Sequence, residues 1–284
     1  FYSIDILPQL DTAIMENPFL KNSFNNGTVI STQAGFYFSS LDKKHPRATN
    51  FVRIGSEVSF PYLDRIKGLQ DKIYEFVKLE AEYRRIYNYR KSSIAIRVYG
   101  GAGYNYGKSD KFGNTLPFFK QFVAGGPNSM RAWGLRLLGL GSSLVSDTSS
   151  TFRERYGDMQ LEANFEYRFT IADFSSLKLG GAFFTDIGNV WNLHNTPDAP
   201  GSKFTFNNLG KDIAMGIGTG LRFDFSYFLI RVDFGIKVKD PARYAENKGW
   251  LKPSDFTWKN YLYADKGVET RNNYGVQLGI GLPF

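Results

Sequence analysis

The chain of 284 residues has no cysteine, which excludes disulfides and thiolate metal sites. Histidine is nearly absent too. His45 and His194 stand in a turn and a loop, and without cysteine they make no credible metal site, so solvated positions are expected for both. No stretch approaches roughly 18 unbroken apolar residues, which excludes a transmembrane helix. Nothing at Phe1 resembles a charged start followed by an apolar secretory core, so any signal peptide is expected to have been removed already. A Gly-x-x-x-x-Gly-Lys phosphate loop and a lipase-type Ser/His/Asp arrangement are both missing. The net charge is +8, yet lysine and arginine are scattered singly among carboxylates and form no basic stripe. Nucleic acid is therefore not an expected partner.

What the chain does have is aromatic residues, at 17%, and glycine, at 29 residues. Abundant aromatics and glycine without a long apolar run point to a β-barrel in a membrane. The clearest strand covers residues 158–171. Asp158, Gln160, Glu162, Asn164, Glu166, Arg168 and Thr170 share one parity, and Met159, Leu161, Ala163, Phe165, Tyr167, Phe169 and Ile171 share the other. Side chains alternate faces along a strand, so one face is wholly polar and the other wholly apolar. Similar alternation marks 28–38, 52–60, 77–87, 94–106, 177–191, 213–225, 228–238 and 274–284, giving about nine strands with no helix of note between them.

The connections decide between a soluble sandwich and a barrel. Counting back from Phe284, long links at 240–273, 192–212 and 107–155 alternate with short ones near 226–227, 173–176 and 88–91. Long extracellular loops alternating with short periplasmic turns are the pattern of outer-membrane barrels. The last strand then runs inward and places Phe284 at the periplasmic rim. The expected fold is all-β, an antiparallel transmembrane barrel occupying residues 1–284.

The link at about 107–155 is too long for an ordinary connection. It contains Phe118, Phe119, Phe122, Trp133, Leu135, Leu137 and Leu138, too apolar for a solvated tail. It is expected to fold into the lumen as a lid, with Gly125, Gly126, Ser129, Met130, Arg131, Ala132 and Trp133 near its tip. On the strand 177–191, Asp186 shares parity with Lys178, Gly180, Ala182 and Gly188, the less apolar face, and so points into the lumen. Glu166 lies on the polar face of the preceding strand. Two such carboxylates make a seat for a guanidinium, whose planar fork binds carboxylates bidentately as an ammonium cannot. Spacing alone leaves two readings open: a clamp on Arg131, or a solvated loop arginine beside carboxylates that merely line the lumen. Pairs such as Glu80 and Glu82, or Glu162 and Glu166, read as lumen lining rather than as glycosidase-type catalysts.

Gly-Gly-x-x-Ser-Met-Arg-Ala-Trp at 125–133 resembles the lid-loop motif of the outer-membrane insertase superfamily, which includes BamA, TamA and the two-partner secretion transporters. The run 164–169 is similar to the strand that follows that loop. The run 183–191, with Phe184, Asp186 and Gly188, resembles the Phe-x-Asp-x-Gly signature of the next. The run 229–235 and the C-terminal Phe284 resemble the final strands. The wording at 128–133 is most similar to the TamA-like lipoprotein branch of Bacteroidota.

The resemblance implies the clamp of Arg131 by Glu166 and Asp186. It also implies a barrel of 16 strands preceded by POTRA domains. About nine strands and no POTRA-like segment are visible, so the chain is expected to be the C-terminal part of a longer protein. The family usually has Gly after the motif Arg; here Ala132 stands there, and a positive φ at that position would strain it.

The implied function is an outer-membrane assembly or translocation factor that performs no covalent chemistry and needs no cofactor or metal. Its partners would be outer-membrane lipids, unfolded outer-membrane or secreted client proteins, and periplasmic or accessory subunits. Clients would enter at a seam beside the last strand. There Gly275, Gly279 and Gly281 on the lumenal face weaken pairing, and Pro283 removes one ladder donor. The alternatives are a two-partner-type secretion pore and a passive porin. Trp250, Trp258, Tyr261 and Tyr263 crowd the last long link, as a partner surface or as a self-packed loop.

Overall fold

The computed structural model describes residues 27–42, 45–61, 66, 72–107, 115–143, 155–196, 199–243, 247–256, 258 and 273–284. Alternating sequence becomes strand throughout. The strands are β1 (Ser31–Leu41), β2 (Ala48–Ser59), β3 (Phe76–Asn88), β4 (Ser92–Asn105), β5 (Met159–Asp173), β6 (Lys178–Trp191), β7 (Ala214–Asp224), β8 (Leu229–Lys239) and β9 (Tyr274–Ile280). They form one nine-stranded antiparallel sheet in sequential order, each strand paired with its neighbours in the chain. Among the described residues β1 and β9 are its two edges, and no ladder joins them. Among the described residues the longest helical piece is the single turn Leu209–Asp212.

Most boundaries move by a few residues, β1 by three at each end (Ser31–Leu41 for the expected 28–38), and the largest differences are at the start of β2 and the end of β9. β2 starts at Ala48, because backbone pairing with β3 (Ala48 opposite Tyr87) continues past the clean alternation. β9 stops at Ile280, where Gly281 takes a φ of 77°. Its N–H donates to the Leu229 carbonyl at 2.8 Å, and a Pro two residues on has no N–H to continue a ladder. The earlier start of β2 also shortens the first link. The links now alternate along the whole sheet: 42–47, 89–91, 174–177 and 225–228 are short, and 60–75, 106–158, 192–213 and 240–273 are long.

The two faces of the sheet are inverted relative to a soluble protein, in which charged residues are almost never fully buried. Phe165, Phe183, Ile217, Leu221, Val232 and Leu278 are exposed, whereas Glu162, Asn164, Glu166, Asp186, Arg231 and Asp233 are buried. The apolar face meets lipid and the polar face lines the lumen. Phe165 sits between Ile96 and Thr185 of its neighbouring strands. Phe165→Arg is expected to destabilise the fold by about 2–4 kcal/mol, the cost of arginine near the bilayer midplane. Arg at Gln33, which lines the lumen opposite Glu57, should be tolerated. Urea titration of both variants in bilayers measures the difference, and equal penalties would overturn the assignment of faces.

Candidate functional site: a loop seated on the lumenal wall

The link between β4 and β5 returns into the lumen. Its tip is closed by a hydrogen bond from the Gly126 N–H to the Trp133 carbonyl at 2.9 Å and another from the Trp133 N–H to the Met130 carbonyl at 3.0 Å. Gly125 has a φ of 102° and Gly126 one of 90°. A side chain is also sterically excluded at Gly125, where a β-carbon would lie 2.1 Å from the Gly134 carbonyl oxygen. The loop brings its own core: Leu116, Phe122, Ala124, Met130, Ala132, Trp133, Leu138 and Leu140 pack with Phe76, Tyr99, Val190 and Ala214 of the wall. The expected packing residues divide. Phe122, Trp133 and Leu138 are buried, Phe118 is half-buried against Phe119 and Tyr156, and Phe119, Leu135 and Leu137 are exposed. Residues 108–114 and 144–154 of the expected lid lie outside the described residues.

Arg131 is fully buried between two strands. Its Nε and Nη2 donate to the two oxygens of Asp186, each at 2.9 Å. Its Nη1 donates to Glu166 Oε2 at 2.5 Å, and its backbone N–H adds a bond to Asp186 Oδ2 at 3.0 Å. The guanidinium lies 3.5 Å from the centre of the Phe184 ring. Phe184, Asp186 and Gly188 alternate on one face of β6, so the signature Phe stacks on the Arg while the Asp binds it. Gly188 gives room where β5 approaches, since a β-carbon there would fall 2.4 Å from the Leu161 carbonyl oxygen. Asn164 steadies Asp186 with a bond of 3.0 Å. Ser129 accepts from the Gly125 N–H at 3.2 Å and donates to Glu162.

The ion pairs continue along the wall. Glu166 also accepts from Arg168 at 2.9 Å and Arg222 at 3.0 Å. Arg222 reaches Asp233 at 2.6 Å, and Asp233 binds Arg231 at 2.7 Å. On the other side Arg97 joins Glu82, at 2.6 Å, to Glu162, at 2.8 Å. Arginines and carboxylates thus alternate from β3 to β8. Each charge of this chain of pairs has an opposite partner at hydrogen-bond distance, as burial requires.

Under the loop tip the wall is stripped to backbone. A β-carbon at Gly216 would lie 2.8 Å from the Ala132 methyl, one at Gly235 would lie 2.9 Å from the Ala132 Cα, and one at Gly275 would lie 2.8 Å from the Arg131 carbonyl oxygen. Ala132 itself is not among the residues with positive φ, so its methyl is accommodated without backbone strain. At Gly279 a β-carbon would fall 2.6 Å from Arg231 Nε. The space left by Gly275 and Gly279 is therefore filled, by the loop and by Arg231. Gly281 has nothing within 4 Å and makes the turn that ends β9. Phe284 is buried at the strand end, its carbonyl bound by Arg168 at 3.0 Å.

Several wall residues were visible only as polar positions of the right parity: Arg168, Arg222, Arg231 and Asp233. Gln277 was another, and its Nε2 donates to the Trp133 carbonyl at 2.9 Å and the Arg131 carbonyl at 3.3 Å. Arg168 with Glu166 and Arg231 with Asp233 are pairs two residues apart on one strand, but the reach of Arg222 to Glu166 and of Arg231 and Gln277 to the loop has no signature in local spacing. His45 is exposed beside Asp42 at 3.4 Å, and His194 packs on the Tyr104 ring at 5.3 Å. Among the described residues no group of His, Cys, Asp and Glu is arranged to hold a metal. Trp258 stacks on Phe234 at 5.9 Å and touches Tyr274 and Phe256, so this part of the last link folds on its own strands. Tyr261 and Tyr263 lie outside the described residues.

An inverted antiparallel sheet with an arginine-clamped loop on its lumenal wall defines a membrane β-barrel of the lid-loop kind. The Omp85 superfamily domain model matches residues 10–284, and the chain belongs to that superfamily. It is an integral protein of the bacterial outer membrane. The fold is similar to the crystal structure of BamA from Haemophilus ducreyi lacking POTRA domains 1–3, with a TM-score of 0.52 and 17% identity. The likeness covers 75% of this chain and 39% of that one, so the chain spans well under half of the BamA structure. No curated protein matches the chain.

Proposed function

We propose that this domain assembles β-barrel proteins into the outer membrane by offering the edge of β9 to an incoming strand. The observation that carries the reading is a firmly seated lid that rests on the inner face of the terminal strand. Arg131 is locked by Glu166 and Asp186, and Gln277 of β9 holds the loop carbonyls of Arg131 and Trp133, while the backbone ladder of β9 runs only to β8 among the described residues. An unpaired edge is a template for another strand, and main-chain pairing supplies affinity without fixing the client's sequence. Unfolded outer-membrane clients are the partners this suits, with outer-membrane lipids around the apolar face and periplasmic or accessory subunits below it.

The nine strands belong, in this reading, to the C-terminal part of a larger barrel, of 16 strands in the family, with POTRA domains elsewhere in the protein. A barrel of about eight strands has an interior just wide enough for its own side chains, and could not hold this loop with its apolar core. The same packed core weighs against a passive porin, which needs an open aqueous path. Among family members the TamA-like branch is favoured over a secretion pore by the wording at the loop tip. The test is an engineered disulfide in the complete protein joining β9 to the strand that meets it across the seam. Client assembly should stop in the crosslinked protein and return on reduction. Undiminished assembly by fully crosslinked protein would remove strand exchange at this edge.

A further inference from the structure

We propose that Arg231 is a positioning residue that ties the lid-loop tip to the end of β9, so that the two leave the wall together. The proposal rests on the reading that the β9 edge is the working edge, and names what controls it. Arg231 stands on the lumenal face of β8, fully buried, directly opposite Gly279 of β9. Its single guanidinium reaches three segments. Nη1 donates to the Pro127 carbonyl at 2.6 Å and to Asp233 at 2.7 Å. Nη2 donates to the Asn128 side-chain oxygen, and Nε donates to the Gly281 carbonyl at 3.0 Å. The charge of Asp233 fixes the fork on the wall; the other bonds join loop tip to strand end.

Two further contacts have the same sense. Gln277 of β9 holds the carbonyls of Arg131 and Trp133, so the strand also grips the loop directly from the middle of its lumenal face. Gly279 is the groove in which the fork lies, because a β-carbon there would come within 2.7 Å of Nε, Cζ and Nη2 together. If β9 swings away from β8, the loop tip loses Gln277 and Arg231 loses the Gly281 carbonyl. If the loop tip lifts, Arg231 loses Pro127 and Asn128, and the end of β9 loses an ordered partner. Arg231 thus makes the lid a condition of the edge.

The experiment reads hydrogen exchange in the full protein in lipid, without client. The reporters are the Gly126, Arg131 and Trp133 amides of the loop and the Gly281 amide beyond β9, each hydrogen-bonded in the closed state. Gly279→Ala places its methyl in the groove of the Arg231 fork, touching no loop residue itself, and should accelerate exchange at the loop reporters by about tenfold or more, the signature of a local opening. Arg231→Lys keeps a cation beside Asp233 but cannot span the segments. It should accelerate both sets, whereas a residue needed only for its ion pair would be rescued by Lys. Arg131→Ala frees the loop from the far side and should accelerate the Gly281 amide. Wild-type exchange at the loop in Gly279→Ala and Arg231→Lys, or at Gly281 in Arg131→Ala, would overturn the coupling. Coupled exchange with normal client assembly in the crosslinked protein would instead keep the coupling and sink the edge reading.

Discussion

Arg131→Ala should release the loop from the wall while leaving the strands paired. No ladder hydrogen bond involves the Arg131 side chain, which instead carries three bonds to Asp186 and Glu166. Removing one partner of a buried ion group costs about 3–5 kcal/mol, and the lost stacking on Phe184 adds about 0.5–2 kcal/mol. The penalty should fall unevenly. Glu166 keeps Arg168 and Arg222, but Asp186 keeps only the Asn164 amide among its side-chain partners. Double-mutant cycles should therefore give a larger coupling of Arg131 with Asp186 than with Glu166. Arg131→Lys should rescue poorly, since a point charge cannot span both carboxylates. Limited proteolysis should cut between residues 107 and 155 in the variant, client assembly should fall, and membrane insertion should stay near normal. Coupling near zero for both pairs would mean that Met130, Trp133 and the rest of the apolar cluster hold the loop by themselves.

The second large effect is expected from a single methyl group. Gly235→Ala puts a β-carbon 2.9 Å from both the Cα and the N of Ala132, and 3.1 Å from the Arg131 carbonyl carbon. All three are backbone atoms of a loop pinned by Asp186, so no rotamer change relieves the clash. Overpacking of this kind costs about 1–3 kcal/mol, and the loop should lift with the same protease sensitivity as in Arg131→Ala. Gly216→Ala meets the Ala132 methyl itself at 2.8 Å. Ala132→Gly should therefore suppress Gly216→Ala in large part and Gly235→Ala hardly at all. Gly210→Ala, with nothing within 4 Å, is the neutral control. Denaturation midpoints of the single variants and of the two double variants with Ala132→Gly decide the matter. Equal suppression of both variants would show that the loop tip does not rest on the sheet as described.

The strands were legible because their side chains alternate, and alternation needs no knowledge of what lies opposite. The parity of 158–171 and 177–191 is enough to put Glu166 and Asp186 on one face of neighbouring strands. The loop was less legible. Its apolar residues have no period, so nothing in the sequence separates Leu138, which is buried, from Leu135 and Leu137, which are exposed. The reach of Arg231 to Pro127 spans 104 positions, and of Gln277 to Trp133 spans 144. Such bonds exist only once the sheet has curved the wall towards the loop. The doubt over Ala132 had a similar origin, because whether a position needs a left-handed backbone depends on turn geometry that residue type does not encode.

The bare patch on the wall also measures where the last strand sits. Side chains repeat every two residues along a strand, so a two-residue slip of β9 against β8 would keep every face correct and leave the ladder equally well bonded. The sheet alone cannot reject that error. The loop can. Gly275 pairs with Gly235 beneath Ala132, and a slip of two would bring Gln277 to that place, where even a β-carbon has no room. The seated loop thus acts as a gauge of register. A terminal strand paired out of step would meet the lid before it could close, and alignment of the sheet's edge would be checked by shape.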